Sequence, residues 1–171
     1  SIGYGIATAY AKEGANLVIT GRNKQKLADA KEELERLYNI EVLPVQADVS
    51  ADADNETVVQ NVIDETIAKF GRIDVLINNA QASASGVAAN EWGPDGINAN
   101  IICPLAWTAQ LENFQQAYPE AFEANVKMPP AGHYGDVEKE IGRVCVQLAS
   151  PDFKYMNGET LTLEGGMGLR P

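Results

Sequence analysis

Apolar positions along the chain follow two rhythms. "GYGIATAYAKEG" carries small residues at helical spacing and ends on Gly14, a residue suited to closing a helix. "ANLVITG" is a short unbroken apolar run with β-branched residues, which predicts a buried parallel strand. Asn23 is placed to cap a helix through about Tyr38, with Leu27, Leu34 and Leu37 on one side and charges elsewhere. "IEVLPVQADV" predicts a second strand, in which Pro44 calls for a bulge or an edge-like position. From about Asp54 to Phe70, Val58, Val59, Val62, Ile63 and Ile67 define the apolar face of another helix, stopped by Gly71. "IDVLINNA" predicts a further buried strand.

After Ala80 the rhythm breaks. "QASASG" is loop-like, "VAANEWGPDG" is the tail of a helix ending in a turn, and "INANIIC" is a strand. The stretch from Pro104 to Gly135 is long and irregular, with a short helix near Leu111 to Ala117, and loops of that length usually serve as lids. Trp107, Phe114, Tyr118, Phe122 and Met128 either line a pocket beneath it or pack the lid itself. Asp136 caps a helix through about Ala149, and "GETLTLEGGMG" is a last strand with a glycine-rich exit. Strand–helix alternation of this kind specifies an α/β fold, a doubly wound parallel sheet in a single domain over 1–171.

Charge narrows the partners. The balance is 13 basic against 24 acidic residues, a net −11, which repels phosphate backbones and argues against nucleic acid. Helices such as "ADAKEELERLY" hold much of that charge as a solvated face. No apolar run is long enough for a membrane span, and no secretory signal is visible. Cys103 and Cys145 lie in apolar stretches and read as buried small hydrophobes in a reducing compartment, so a cytoplasmic location is expected. His133 is the sole histidine and neither cysteine has ligand spacing, so no metal site is expected.

The candidate chemistry sits at strand ends. "SIGYG" resembles a glycine turn entering a helix, where backbone N–H groups and the helix dipole suit a pyrophosphate; packing of small residues against a sheet is the alternative. Arg22 and Asn23 follow the next strand, about 20 residues beyond the turn, where a ribose-reading residue belongs. An acid there would accept from a ribose 2′-hydroxyl, whereas Arg22 would meet a 2′-phosphate unless it is merely a solvated arginine. Asp48-Val49 and Asn78-Asn79-Ala80 close the following two strands. Each could be a simple cap or turn, but together these features favour a dinucleotide site.

These motifs resemble those of the short-chain dehydrogenase/reductase family over essentially the whole sequence. Ser1-Ile2-Gly3 is similar to the end of its Thr-Gly-x-x-x-Gly-Ile-Gly turn, with serine at the middle glycine. "AKEGANLVITGRN", Asp48-Val49, "INNA", "EWGPDGINANIICP" and "LASPDFKYMNGETLTLEGGMG" resemble its later motifs, with Gln81 where the family has a glycine after Asn-Asn-Ala. The resemblance implies a Rossmann-like fold, NADP or alternatively NAD as cofactor, a small carbonyl or alcohol substrate, and a homotetramer. The cofactor contacts it implies are Ile2, Arg22, Asn23, Asp48, Val49, Asn79, Ala80, Trp107 and Thr108.

Three departures qualify it. The family's Pro-Gly-x-x-x-Thr becomes Pro104-Leu105-Ala106-Trp107-Thr108, one residue shorter and without its glycine. The first strand and the start of the turn do not precede Ser1, so the sequence starts in mid-motif. Between Gly86 and Val87 the family would have a helix, the strand with the catalytic Ser, and the helix with Tyr-x-x-x-Lys. None of the 6 tyrosines here has lysine four residues on, so no catalytic residue is assigned within the sequence. The expectation is an omitted segment, with Gly86 and Val87 apart in space. The rival readings are a dinucleotide-binding module without catalysis and an enoyl-thioester reductase, whose branch "SIGYGIA" also resembles.

Overall fold

Residues 1–48, 55–79 and 85–168 are described by the computed structural model, with only backbone for 85–88. They fall into two units, Ser1–Ile6 with Gln81–Pro171, and Ala7–Ala80. Helix α1 (Ile2–Lys12) begins in one and ends in the other, and Gly14 follows it at φ 80°, the left-handed closure its position predicted.

In the Ala7–Ala80 unit, β1 (Leu17–Gly21), α2 (Lys24–Leu37) and β2 (Val42–Gln46) form a right-sized strand–helix–strand crossover. The strands pair in parallel from Leu17↔Val42 to Gly21↔Gln46. Asn23 caps α2 as expected, its Oδ1 accepting from Lys26 N at 2.9 Å. Leu27 and Leu34 of α2 are buried with Val42 and Val45 of β2. Leu37, expected on that face, is half exposed because it stands in the last turn, beyond the reach of the sheet.

Pro44 sits opposite Ile19 in unbroken register, and among the described residues β2 pairs with β1 alone, so the edge-like reading holds there and no bulge is needed. The free edge is partly covered by α2. Lys31 Nζ donates to Val42 O at 2.8 Å, and Glu35 Oε1 accepts from Val42 N at 2.9 Å. A 2.5 Å contact joins the two side chains. Both outward backbone groups of Val42 are therefore satisfied without a third strand.

Helix α3 (Asn55–Phe70) closes at Gly71, φ 76°. Its expected apolar face is only half covered, with Val59, Ile63 and Ile67 exposed. The strand expected over "IDVLINNA" does not form among residues 72–79, and Leu76 is 68% exposed. The cause is a lack of partners. No strand among the described residues pairs with it. A lone apolar run cannot satisfy its N–H and C=O groups by ladder bonds.

In the other unit, α4 (Ser85–Trp92) runs into a 3-10 turn, Gly93–Asp95, closed by Gly96 at φ 78°. Gly86 and Val87 both fall within α4, and Ala89 and Glu91 further along it are strong helix formers. Strands β3 (Ile101–Pro104) and β4 (Thr160–Leu163) pair in parallel from Ile101↔Thr160 to Pro104↔Leu163.

Strand β3 starts later than "INANIIC" suggests because asparagines occupy the approach. Asn98 Nδ2 donates to Lys154 O at 2.7 Å and Asn100 Nδ2 to Met156 O at 2.9 Å. Asn157 Oδ1 accepts from Ala99 N at 2.8 Å. Between the strands lie α5 (Ala109–Ala117), α6 (Pro119–Asn125), a π-helical turn (Val137–Gly142) and α7 (Arg143–Leu148). Ile141 and Cys145 are buried. Cys103, expected buried, is exposed, since strand residues alternate sides and the outer side at this position is uncovered.

Candidate functional site

Parallel pairing brings the carboxyl ends of β1 and β2 side by side. Ala47 N donates to Gly21 O at 3.0 Å, and Gln46 Nε2 donates to Arg22 O at 3.0 Å. Arg22 and Asn23 after β1 thus stand beside the residue after β2 that leads to Asp48. Arg22 is exposed and makes no ion pair among the described residues. Lys24 and Lys26 lie exposed in the first turn of α2, whose N-terminus adds positive potential. Positive charge therefore gathers at this end of the sheet. Asn23 spends its side-chain oxygen on the helix cap, leaving its amide group for outside contact.

Asn79 ends the described stretch, its N–H donating to Ile77 O at 3.1 Å in a tight turn. Val49 and Ala80, the partners of Asp48 and Asn79 in the expected motifs, lie outside the described residues.

Ile2 is the first residue of α1. Ser1 accepts there twice, through Oγ from Tyr4 N at 3.4 Å and through its carbonyl from Gly5 N at 3.1 Å. Trp107 and Thr108 open the excursion between β3 and the π-turn. Thr108 is the N-cap of α5, its Oγ1 accepting from Leu111 N at 3.3 Å, so its hydroxyl already has a structural task. Trp107 meets Phe122 and Tyr134 edge-on, with centroids 6.2 and 6.0 Å away, and Phe114 touches both Phe122 and Tyr118. Trp107, Phe114 and Phe122 therefore pack this excursion against itself, whereas Tyr118 and Met128 are exposed.

One constellation has a weaker sequence signal. His133 Nε2 lies 2.9 and 3.0 Å from the two carboxylate oxygens of Glu140, and Asp136 N donates to Glu140 Oε2 at 2.7 Å. Asp136 in turn accepts from Glu138 N and Lys139 N, so the two acids form a reciprocal cap with a π-helical offset. The Asp136 N–H and the imidazole hold the Glu140 carboxyl below the usual carboxylate range. Glu140, then the Ala131 carbonyl, pushes His133 above the usual imidazole range. Burial raises the Cys145 thiol. No group of His, Cys, Asp and Glu able to hold a metal occurs among the described residues. No helix among them is long and apolar enough to cross a membrane.

Parallel strands joined by helical connections define an α/β protein. Residues 1–88 match the family model described as short chain dehydrogenase, and residues 80–168 match the one described as enoyl-(acyl carrier protein) reductase. A relative named 12alpha-hydroxysteroid dehydrogenase, from a Clostridium species, is 50% identical over 241 aligned positions, covering 100% of this chain and 93% of its own length. The chain superimposes on L-sorbose reductase of Gluconobacter frateurii, solved with NADPH and L-sorbose, at TM-score 0.84 and 19% identity, covering 100% and 94% of the two chains. A short chain dehydrogenase from Bacillus anthracis gives TM-score 0.70 at 29% identity, covering 99% and 93%. The chain belongs to the short-chain dehydrogenase/reductase family. It is an NAD(P)-dependent oxidoreductase class, acting on CH–OH groups, on a Rossmann-like fold.

Proposed function

We propose that the protein is an NADP(H)-preferring oxidoreductase that interconverts a ring hydroxyl of a steroid-like molecule and the corresponding ketone. The observation that carries the cofactor preference is Arg22, exposed without an acid partner at the end of β1. The 50% identity to a hydroxysteroid dehydrogenase supports the substrate class. The cofactor, when bound, gives or takes the hydride. Arg22 would hold the 2′-phosphate, Asn23 and Asp48 would frame the adenosine end, and the family resemblance assigns Val49, Asn79 and Ala80 to the same cofactor. Ile2 offers the α1 N-terminus to the pyrophosphate. Trp107 and Thr108 stand at the nicotinamide loop, and the aromatic lid excludes water from the substrate. A homotetramer in the cytoplasm completes the reading.

Proton transfer belongs, in this reading, to a Ser and Tyr-x-x-x-Lys segment placed at Gly86–Val87. Two facts support that place. The relative aligns over 241 positions against 171 residues here, so part of it has no counterpart in the chain. The two family models meet at residues 80–88. A second reading, a dinucleotide-binding module without catalysis, follows from the 171 residues taken literally, none of whose tyrosines has lysine four residues on. The intact mass of the gene product separates them. A mass well above 18.4 kDa, with NADP-dependent oxidation of a hydroxysteroid, is expected; 18.4 kDa with dinucleotide binding and no turnover would establish the module.

A further inference from the structure

The excursion from Trp107 to Tyr134 is closed at its base by backbone alone. Gly135 N donates to Leu105 O at 3.1 Å, and Trp107 N donates to Gly135 O at 2.9 Å. Gly135 fits closely there, since a Cβ would stand 3.2 Å from Leu105 O and 3.4 Å from Ile141 Cδ1 and the neighbours would have to give by a few tenths of an ångström. A few residues upstream the returning strand is tied to the β4 exit, with Ala131 N donating to Gly165 O at 2.9 Å. Between these two ties stands His133.

Its ring faces two acceptors. Nδ1 lies 3.3 Å from Ala131 O, and Nε2 lies 2.9 and 3.0 Å from the Glu140 carboxylate. Neither acceptor has a proton to offer when Glu140 is ionised. A neutral imidazole carries one N–H and leaves one of the contacts without a proton, whereas the imidazolium carries two and satisfies both. Only the charged ring completes this arrangement.

The surroundings favour that charge. A cavity of about 220 Å³ beside the ring is lined by Glu140 and Glu164 as its acids, together with Leu105, Gly135 and Ile141. Of the other charged and titratable groups on these elements, Asp136 aims its carboxylate at Glu138 N and Lys139 N, and Tyr134 Oη donates to Lys127 O at 2.9 Å. Glu140 also receives Asp136 N at the start of the π-turn, so one carboxylate joins the lid's return to the helix that follows it.

We propose that His133 is a positioning residue, a proton-operated latch that fixes the C-terminal hinge of the 107–134 excursion through Glu140. Below its titration the ring holds both the Ala131 turn and the helix cap; above it one tie is lost and the hinge loosens. That the excursion covers a substrate rests on the function proposed above, but the latch does not.

The test follows the His133 imidazole C2–H resonance, assigned by its loss in His133→Asn. Wild-type His133 is expected to titrate above the ordinary value of about 6.5, and Glu140→Gln, which can still accept from Asp136 N, should return it towards that value. Amide-exchange protection factors at Trp107 and Gly135 should fall in wild type across the same titration. His133→Asn should show the low protection throughout, and His133→Arg, charged at every pH used, should keep the high protection. Ordinary titration in wild type, or protection that follows pH equally in wild type and His133→Arg, overturns the latch. If protection responds as expected while substrate KM does not, the latch stands and the covering role of the excursion falls.

Discussion

Gly5 of α1 lies directly on Val137, where the π-turn begins. A Cβ built on Gly5 would come 2.7 Å from the Val137 Cβ and closer still to its carbonyl oxygen. The first turn of α1 and the start of the 137–148 helical segment therefore touch at backbone distance, which only a residue without a side chain allows.

Gly5→Ala forces that contact open. Overpacking of a tight site costs about 1–3 kcal/mol, and the obstacle here is backbone that cannot rotate away. The expected outcome is an unfolding free energy lowered by that amount relative to wild type, read from the midpoint and slope of urea denaturation. A midpoint unchanged within error would show that the two segments separate freely.

Acid should weaken the edge of β2. Glu35 is held below the usual carboxylate range, first by the Lys31 ammonium and then by Val42 N–H. A carboxyl depressed in the folded state contributes stability that is full above its unfolded value and lost as pH falls through its folded value. The pair is partly exposed, so the loss is about 0.2–1 kcal/mol. Urea midpoints taken from neutral pH down through the carboxylate range should drop more for wild type than for Glu35→Gln. Parallel curves would remove the clip from the account.

The exposed run at 73–77 should make the 171-residue chain self-associate. Ile73, Val75, Leu76 and Ile77 are all among its exposed large apolar residues, and contiguous apolar surface of this kind promotes association. Leu76→Lys is expected to reduce the sedimenting oligomer while leaving the circular dichroism spectrum and urea midpoint unchanged. Equal association of both chains would place the sticky surface elsewhere.

Legibility in the sequence followed the range of the forces involved. Gly14, Asn23 and Gly71 marked their helix ends because caps act within a few residues. Strands β1 and β2 were readable because a short crossover pairs them. "IDVLINNA" has the same apolar pattern and forms no strand, since pairing depends on neighbours that its own residues cannot report. Counting from the glycine turn put Arg22 and Asn23 just past a strand end, and they follow β1. The commitments of Asn23 Oδ1 and Thr108 Oγ1 to helix caps were half visible, as N-cap residue types. The tie between His133 and Glu140 was not, because a separation of seven residues becomes a contact only once the lid returns at Gly135.

Cofactor choice tests the central claim most directly. The strand β1 ends in Gly21-Arg22-Asn23, with no carboxylate to accept from a ribose 2′-hydroxyl or repel a 2′-phosphate. A hydrogen bond to a charged group is worth about 1.5–3 kcal/mol, and a guanidinium offers a phosphate two parallel donors. The measurement is the dissociation constant of the gene product for NADPH and for NADH, in wild type and in Arg22→Ala, at fixed salt. Wild type is expected to bind NADPH more tightly, and Arg22→Ala to weaken NADPH by about ten- to a hundred-fold with NADH nearly unchanged. Tighter binding of NADH by wild type, or equal losses for both cofactors in the variant, would contradict the account.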